Sequence, residues 1–195
     1  LGVDFGTSNT AAGYMWDERP RLIQFAPGQT TIPTTFFFDY DTRRMLIGEP
    51  ANQALLEGAE GRFMRALKRV LGTSLMHERR QILNEQVTFV DIIARFLTEV
   101  KARAEADAGV IFDRVLSGRP VVFHGVGDPR EAAAETDLRA CYLAAGFREH
   151  VQREIEIGLA VGGGDAGPQS GRVKRHGGES YRDDQESHSS AQPSH

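Results

Sequence analysis

The chain has 195 residues, with 23 Lys+Arg against 27 Asp+Glu and a formal net charge of −4, and this length suits one ordinary domain or one domain and part of another. The charge gives no reason to expect nucleic-acid binding, and no apolar run approaches the roughly 18 residues of a membrane span. The lone Cys141 excludes an intrachain disulfide and a multi-cysteine metal site, and it favours a reducing cytoplasm. We therefore expect a soluble, cytoplasmic protein with neither nucleic acid nor membrane as a partner.

Short apolar runs bounded by turn-forming residues dominate the first 50 positions. The runs lie at residues 1–5, 10–16, 21–25, 32–38 and 44–47. Because such runs are typical of successive antiparallel strands, the chain is predicted to open as a β-meander.

Helical periodicity follows the meander. A short helix is predicted at residues 50–57, and a second helix is predicted to end at Gly72. The apolar face of the second helix would carry Phe63, Leu67, Val70 and Leu71. Thr88 and Asp91 form a weak capping-box signal at the start of the longest helix.

The remaining pattern adds strand and helix before it dissolves. Residues 110–123 contain two strand-like pieces, and Asp128 is the expected N-cap of a further helix that ends at Gly146. From Pro168 to His195 the hydrophobic residues are Val173, Tyr181 and Ala191. Such a segment buries too little apolar surface to offset the entropy of ordering, so we expect residues 153–195 to form a disordered tail after an α/β domain over residues 1–152.

The segment richest in chemistry is the first, which reads Leu1-Gly2-Val3-Asp4-Phe5-Gly6-Thr7-Ser8-Asn9-Thr10. A strand ends with an acid, and a glycine turn then carries hydroxyl and amide side chains. Backbone N–H groups in such a turn can converge on an anion, and Asp4 could hold a hydrated Mg²⁺. For the four turn residues alone, an ordinary β-hairpin turn is equally compatible. The apolar lead-in that ends in Asp4 favours a phosphate-binding turn.

These ten residues resemble the first phosphate-binding signature of the Hsp70 chaperones, within the actin/hexokinase/Hsp70 ATPase superfamily. Three further segments resemble the family in order and spacing. They are residues 30–34 (T-T-I-P-T), residues 66–72 (A-L-K-R-V-L-G) and residues 118–123 (G-R-P-V-V-F) with the helix that ends in A-A-G-F. The last variant is similar to the YegD-like branch of putative chaperones, and the resemblance covers roughly residues 1–152.

The resemblance implies an actin-like, ribonuclease H-like lobe in which a mixed sheet that begins with the meander is flanked by helices. It also implies ATP and Mg²⁺ as ligands and a role for each matching residue. Asp4 would hold the metal through water, and Gly6, Thr7, Ser8 and Asn9 would wrap the phosphates. Thr7 would place a hydroxyl near the attacking water.

Lys68 would stabilise the charge on the γ-phosphate in the same resemblance. Without the resemblance, Lys68 could belong to a solvated helix face together with Arg62, Arg65 and Arg69. Pro120 would be the family's switch proline, although without the resemblance it could be an ordinary proline at a strand edge.

The second half of the family's pattern does not appear. The E-P-x-A-A-A motif is missing after Gly146-Phe147, and Gly162-Gly163-Gly164-Asp165 is only a superficial echo of the second phosphate loop. A shift of reading frame near residues 151–154 would explain the loss, and translation of the other frames would test it. The sequence therefore predicts a first lobe too truncated for efficient hydrolysis.

We interpret the chain as an Hsp70-like chaperone fragment whose partners are ATP or ADP and, in an intact protein, unfolded polypeptide or co-chaperones. Two alternatives stay open, namely a small-molecule kinase of the same superfamily and a non-catalytic protein-interaction module. Whether the chain is an enzyme is undecided at this point. Other candidates are weaker. His77, His124 and His150 are expected at surface or loop positions, and Cys141 is expected to be a small core residue.

Overall fold

The computed structural model describes residues 1–119, 123–124 and 127–154, which lie in one compact unit, Leu1–Gly158. The predicted disordered tail, Pro120 and the glycine run at residues 162–164 lie outside the described residues, apart from Arg153 and Glu154. Among the described residues, none of the helices combines the length and the hydrophobicity that a membrane span requires.

The described residues form eleven strands. In chain order they are β1 (Gly2–Phe5), β2 (Asn9–Trp16), β3 (Arg19–Leu22), β4 (Thr31–Pro33), β5 (Thr35–Asp39), β6 (Arg44–Ile47), β7 (Gly61–Arg65), β8 (Arg80–Ile82), β9 (Glu85–Val87), β10 (Arg114–Arg119) and β11 (Glu149–Glu154). The helices are α1 (Glu49–Leu56), α2 (Phe89–Ala108) and α3 (Arg130–Ala144), with two 3₁₀ turns at Leu67–Val70 and Ser74–Met76.

The main sheet is mixed and has the order β11-β10-β1-β2-β3, with β4 also paired to β2. Strands β1, β2 and β3 run antiparallel, as predicted for the meander, whereas β10 lies parallel to β1 and β11 lies parallel to β10. Because β1, β10 and β11 are parallel, their carboxyl ends meet at one edge of the sheet, where ligands bind in open α/β sheets. The predicted α/β fold class, with a mixed sheet flanked by helices, is confirmed.

Helices α2 and α3 cover one face of the main sheet. Phe5 of β1 is fully buried and its ring lies 5.9 Å from that of Phe96 on α2, which also contacts Phe36. The alternate residues of the strands point to the opposite face, where Met15 and Leu22 are exposed. A smaller sheet, β6-β5-β7, packs against α1 through its own apolar cluster.

The predicted second helix is wrong. Its first part is strand β7, which pairs with β5, and its second part is the 3₁₀ turn Leu67–Val70. Ala66 between them adopts the left-handed conformation with φ 58°, which an α-helix cannot contain. The apolar spacing fits a helix, but the segment pairs with the buried strand β5 instead. Its residues then pack against the phenylalanines of β5, and this cross-strand packing outweighs the local helical preference.

Several boundaries also differ from the predictions. The run at residues 32–38 is broken at Thr34 into β4 and β5. The first strand-like piece of residues 110–123 is β10, and the second lies mostly outside the described residues. The capping box of α2 is confirmed, since the Asp91 N–H donates to Thr88 and the Asp91 carboxylate accepts the Thr88 N–H. The hairpin of β8 and β9 was not predicted. Strand β11 continues in register through Glu154, beyond the predicted end of the pattern at Gln152.

Candidate functional site

The turn between β1 and β2 is too tight for any residue but glycine at its first position. A Cβ added to Gly6 would lie 2.0 Å from the carbonyl oxygen of Asn9. Because that atom belongs to the backbone, any other residue at this position would force the turn itself to change shape. Thr7 is half-buried and Ser8 is exposed, and the hydroxyl of neither forms a hydrogen bond within the described part of the chain. The turn therefore presents unused donors at its surface.

Thr34 supports the turn from below. Its N–H donates to the Ser8 carbonyl at 2.8 Å, and its buried hydroxyl lies 2.8 Å from the hydroxyl of Thr10. Both partners lie in the turn or directly after it. Thr34, at the break between β4 and β5, therefore holds the turn in a fixed position relative to the sheet. Thr34 thus joins the second family-like segment to the turn.

Lys68 reaches the turn from the 3₁₀ segment. Its ammonium Nζ donates to the Phe5 carbonyl oxygen at 2.6 Å, and it lies 5.9 Å from the centre of the Phe123 ring. Burial lowers the pKa of Lys68 from its usual 10.5, and the nearby Asp4 carboxylate partly opposes that shift. The interpretation of Lys68 as part of a solvated helix face is wrong, because the ammonium is held against β1.

Asp4 is exposed at the carboxyl end of β1, on the face of the main sheet that α2 and α3 leave uncovered. In the described part of the chain, no group of three or more His, Cys, Asp or Glu could enclose a metal ion. One exposed carboxylate nevertheless fits a magnesium ion, which keeps several waters and uses only one or two protein carboxylates. The donor set therefore suits a hydrated ion and not a protein cage.

A cavity of about 660 Å³ opens on the hydroxyl side of the turn. Thr7, Ser8 and Asn9 line one part of it, and Arg65 and Arg69 line another. Both arginine side chains are exposed, and neither guanidinium group forms an ion pair or hydrogen bond with the described residues. The two guanidinium groups are therefore available to an anion beside the turn.

The bend at Ala66 explains why Lys68 and the two arginines reach different places. Ala66 and Arg69 border the same cavity, whereas Lys68, on the 3₁₀ turn that follows Ala66, donates to the Phe5 carbonyl. Arg65 reaches the cavity from the end of β7. The alternation of β7 places Phe63 and Arg65 on one face and Arg62 on the other, and this alternation is the signal that could have set Arg65 apart from Arg62.

The other candidate residues are placed as follows. Cys141 is fully buried on α3, as predicted. His150 is buried in β11, so its expected surface position is wrong. His77 is exposed and His124 is half-buried, and both contact groups next to the Lys68 segment, which no sequence pattern indicated.

Comparison with known proteins gives one family. The model described as Hsp70 protein matches residues 1–105. Curated relatives named Chaperone protein DnaK include those of Endomicrobium trichonymphae, 30% identical over 139 residues (69% of this chain and 21% of the relative), and of Methanothermobacter thermautotrophicus, 31% identical over 127 residues (63% and 20%). The relative from Ureaplasma parvum is 27% identical over 123 residues (63% and 19%). The chain spans about a fifth of the length of these relatives.

Proposed function

The chain belongs to the Hsp70 family, and from this premise we propose that its first 152 residues form one wall of an ATP site in the first lobe of an actin-like ATPase domain. The observation that carries the proposal is the bond from Lys68 Nζ to the Phe5 carbonyl at 2.6 Å, because it fixes a cation at the base of a glycine turn rich in donors. Phosphoryl transfer depends mainly on positioning and on electrostatic stabilisation of the phosphate oxygens. A cation and a donor-rich turn supply both.

Each residue of the turn has a role in this proposal. The backbone and side-chain donors of Gly6, Thr7, Ser8 and Asn9 bind the β- and γ-phosphates, and Thr7 orients the attacking water. Lys68, held at the base of the turn, would present its charge to the γ-phosphate and stabilise the transition state. The free hydroxyls of the turn support this assignment, since a bound phosphate would supply their acceptors.

Asp4 would hold Mg²⁺ through water in the same proposal. The ion would neutralise phosphate charge when bound, and Asp4 orients its water ligands from the end of β1. Lys68 lies close enough to Asp4 for the carboxylate to affect its pKa, which supports a common location for the metal and the phosphates.

The remaining parts of the proposal concern the protein as a whole. As a member of a chaperone family, a complete protein would couple ATP hydrolysis to the binding of unfolded polypeptide, with co-chaperones as further partners, in the cytoplasm. The described residues provide contacts to one side of the phosphates only. We therefore propose that this chain binds ATP or ADP weakly, with Kd on the order of 1 mM, and turns it over slowly.

The family match favours this function over a small-molecule kinase. A protein-interaction module remains the competing proposal, since exposed Met15 and Leu22 offer an apolar surface on the open sheet face. It requires no response to nucleotide at the turn.

Titration of the isotope-labelled chain with ATP and Mg²⁺, followed by amide NMR, tests the proposal. We expect saturable shifts that are largest at residues 6–9 and 66–72, and smaller shifts with AMP, which lacks the β- and γ-phosphates. Shifts confined to other residues, or equal shifts with AMP, would contradict it. Micromolar affinity would show that contacts beyond this wall contribute.

A further inference from the structure

A single peptide group beside Lys68 is held at both of its ends by side chains from other elements. The Leu71 carbonyl oxygen lies 2.5 Å from Nε2 of His124, and the N–H of Gly72 donates to Oδ2 of Asp137 at 2.7 Å. A carbonyl oxygen can only accept, so the His124 Nε2 carries the hydrogen. The Leu71–Gly72 peptide is thus fixed from the loop after β10 on one side and from α3 on the other.

Asp137 is buried, and both oxygens of its carboxylate form hydrogen bonds. The residue is 4% exposed, and its second oxygen, Oδ1, lies 2.8 Å from Nε2 of His77, whose own side chain is 65% exposed. A buried carboxylate is costly unless its oxygens are bonded. Both oxygens of Asp137 are bonded, one to the Gly72 amide and one to an imidazole that water can reach.

The packing around Gly72 leaves the segment little freedom. Gly72 has φ +78°, and a Cβ added there would lie 2.4 Å from the carbonyl oxygen of Arg130 and 3.0 Å from the Ala134 nitrogen. The segment therefore lies directly on the backbone of α3. A side chain at this position would lift the peptide away from Asp137.

Hydrogen bonds along the backbone connect the held peptide to the segment that carries Lys68. The Leu71 N–H bonds to the Lys68 carbonyl at 3.4 Å, which joins the held peptide to the 3₁₀ turn. Phe123, whose ring lies 5.9 Å from Lys68 Nζ, directly precedes His124. The Glu131 carboxylate on α3 accepts the N–H groups of both Phe123 and His124, at 2.9 and 3.2 Å. Helix α3 thus holds the backbone on two sides of the lysine.

We propose that His124 and Asp137 are positioning residues, which clamp the Leu71–Gly72 peptide and so keep the Lys68 ammonium against the phosphate-binding turn. The importance of Lys68 for ATP rests on the proposed function, whereas the clamp itself does not. Without the clamp, the 3₁₀ turn is free to move off α3 and Lys68 is free to leave Phe5 for solvent.

The test uses the nucleotide-free chain and the side-chain NMR titration of Lys68. His124→Ala and Asp137→Ala remove the two halves of the clamp, and Asp137→Asn keeps an oxygen that can accept the Gly72 N–H. His77→Ala is the matched control, because it removes only the exposed partner of Asp137. Amide exchange of Gly72 and thermal unfolding are recorded for each variant.

We expect His124→Ala and Asp137→Ala to speed Gly72 exchange and to move the Lys68 pKa back towards 10.5, because the ammonium gains water. Asp137→Asn and His77→Ala should leave the Lys68 pKa close to that of the unaltered chain. If Gly72 exchange rises but the Lys68 pKa stays unchanged in His124→Ala, the clamp does not position Lys68 and the proposal fails. Should Asp137→Ala not fold, His124→Ala alone decides.

These readouts need no nucleotide, so they separate the two proposals. A chain that fails to bind ATP while His124→Ala still shifts the Lys68 pKa would overturn the proposed function and support the clamp. If the chain binds ATP through Lys68 but His124→Ala leaves the Lys68 pKa unchanged, the proposed function is supported and the clamp is overturned.

Discussion

The carbonyl oxygen of Asn9 occupies the space where a side chain on Gly6 would begin, only 2.0 Å from the position of its Cβ. The two residues close the turn that joins β1 to β2, and they fix the direction of the donors at Thr7 and Ser8. The requirement for glycine here is steric, since the contact is with rigid backbone and not with a flexible side chain.

Gly6→Ala should therefore open the turn and destabilise the lobe. We expect the free energy of unfolding to fall by about 2 kcal/mol, measured by urea unfolding, because either the turn or strand β2 must shift. Gly2→Ala in strand β1 is the control, since its Cβ would lie at an ordinary 3.5 Å from the Gly13 carbonyl oxygen. Equal losses for the two variants would refute the steric account of the turn.

The two arginines at the cavity should bind the outer part of a phosphate chain. Arg65→Ala and Arg69→Ala are each expected to weaken binding of tripolyphosphate by about threefold to tenfold, because each removes a charge-assisted donor at an exposed site. Added salt should reduce the effect, since exposed charges are screened. The measurement is a phosphorus NMR titration.

Arg62→Ala is the matched control for these variants. Arg62 lies on the same strand as Arg65 but on its other face, and it does not line the cavity. If removing Arg62 weakened tripolyphosphate binding as much as removing Arg65, the effect would be one of net charge and the cavity would not be the binding place.

His150 should make the stability of the lobe depend on pH. The imidazole is buried, lies 2.7 Å from the Ser117 hydroxyl and stacks on Tyr142 at 4.4 Å. Burial, with the Arg139 guanidinium as a smaller cause, lowers the pKa of His150 to about 4 from an ordinary value of 6.5. The unfolded chain therefore binds a proton between these two pH values while the folded chain does not.

The free energy of unfolding should accordingly fall as the pH is lowered from 6.5 towards 4, by at most about 1.4 kcal/mol for each pH unit from this residue. His150→Gln should remove that part of the slope, so the difference between the two unfolding curves at several pH values isolates it. Parallel pH profiles for the two proteins would show that His150 is protonated in the folded lobe.

Much of the fold could be predicted from the sequence because its signals are local. The Gly6 turn, the Thr88 capping box and the apolar runs of the meander each depend on residues close together in the chain. Strand β7 could not be predicted in this way, because its partner β5 lies more than twenty residues earlier and the apolar spacing of residues 63–71 equally fits a helix. Tertiary pairing decides such segments.

The site shows the same division. Lys68 was recognised through its resemblance to a family motif, but the supports of Lys68 were not. His124 and Asp137 lie 53 and 65 residues from their partners Leu71 and Gly72, and neither belongs to a motif. Contacts of this kind arise only when α3 is packed on the sheet, so a single sequence carries no local signal for them.

The most direct test of the central claim, that Lys68 and the Gly6 turn bind the phosphates of ATP, is labelling with an acyl phosphate of ATP. This reagent transfers its acyl group to an amine beside the terminal phosphate, and Lys101, which is paired with Glu105 on α2, is the internal control. The account predicts that Lys68 is acylated in preference to Lys101, and that excess ATP with Mg²⁺ prevents the reaction at Lys68. Equal acylation of both lysines, or labelling of Lys68 that ATP does not reduce, would contradict it.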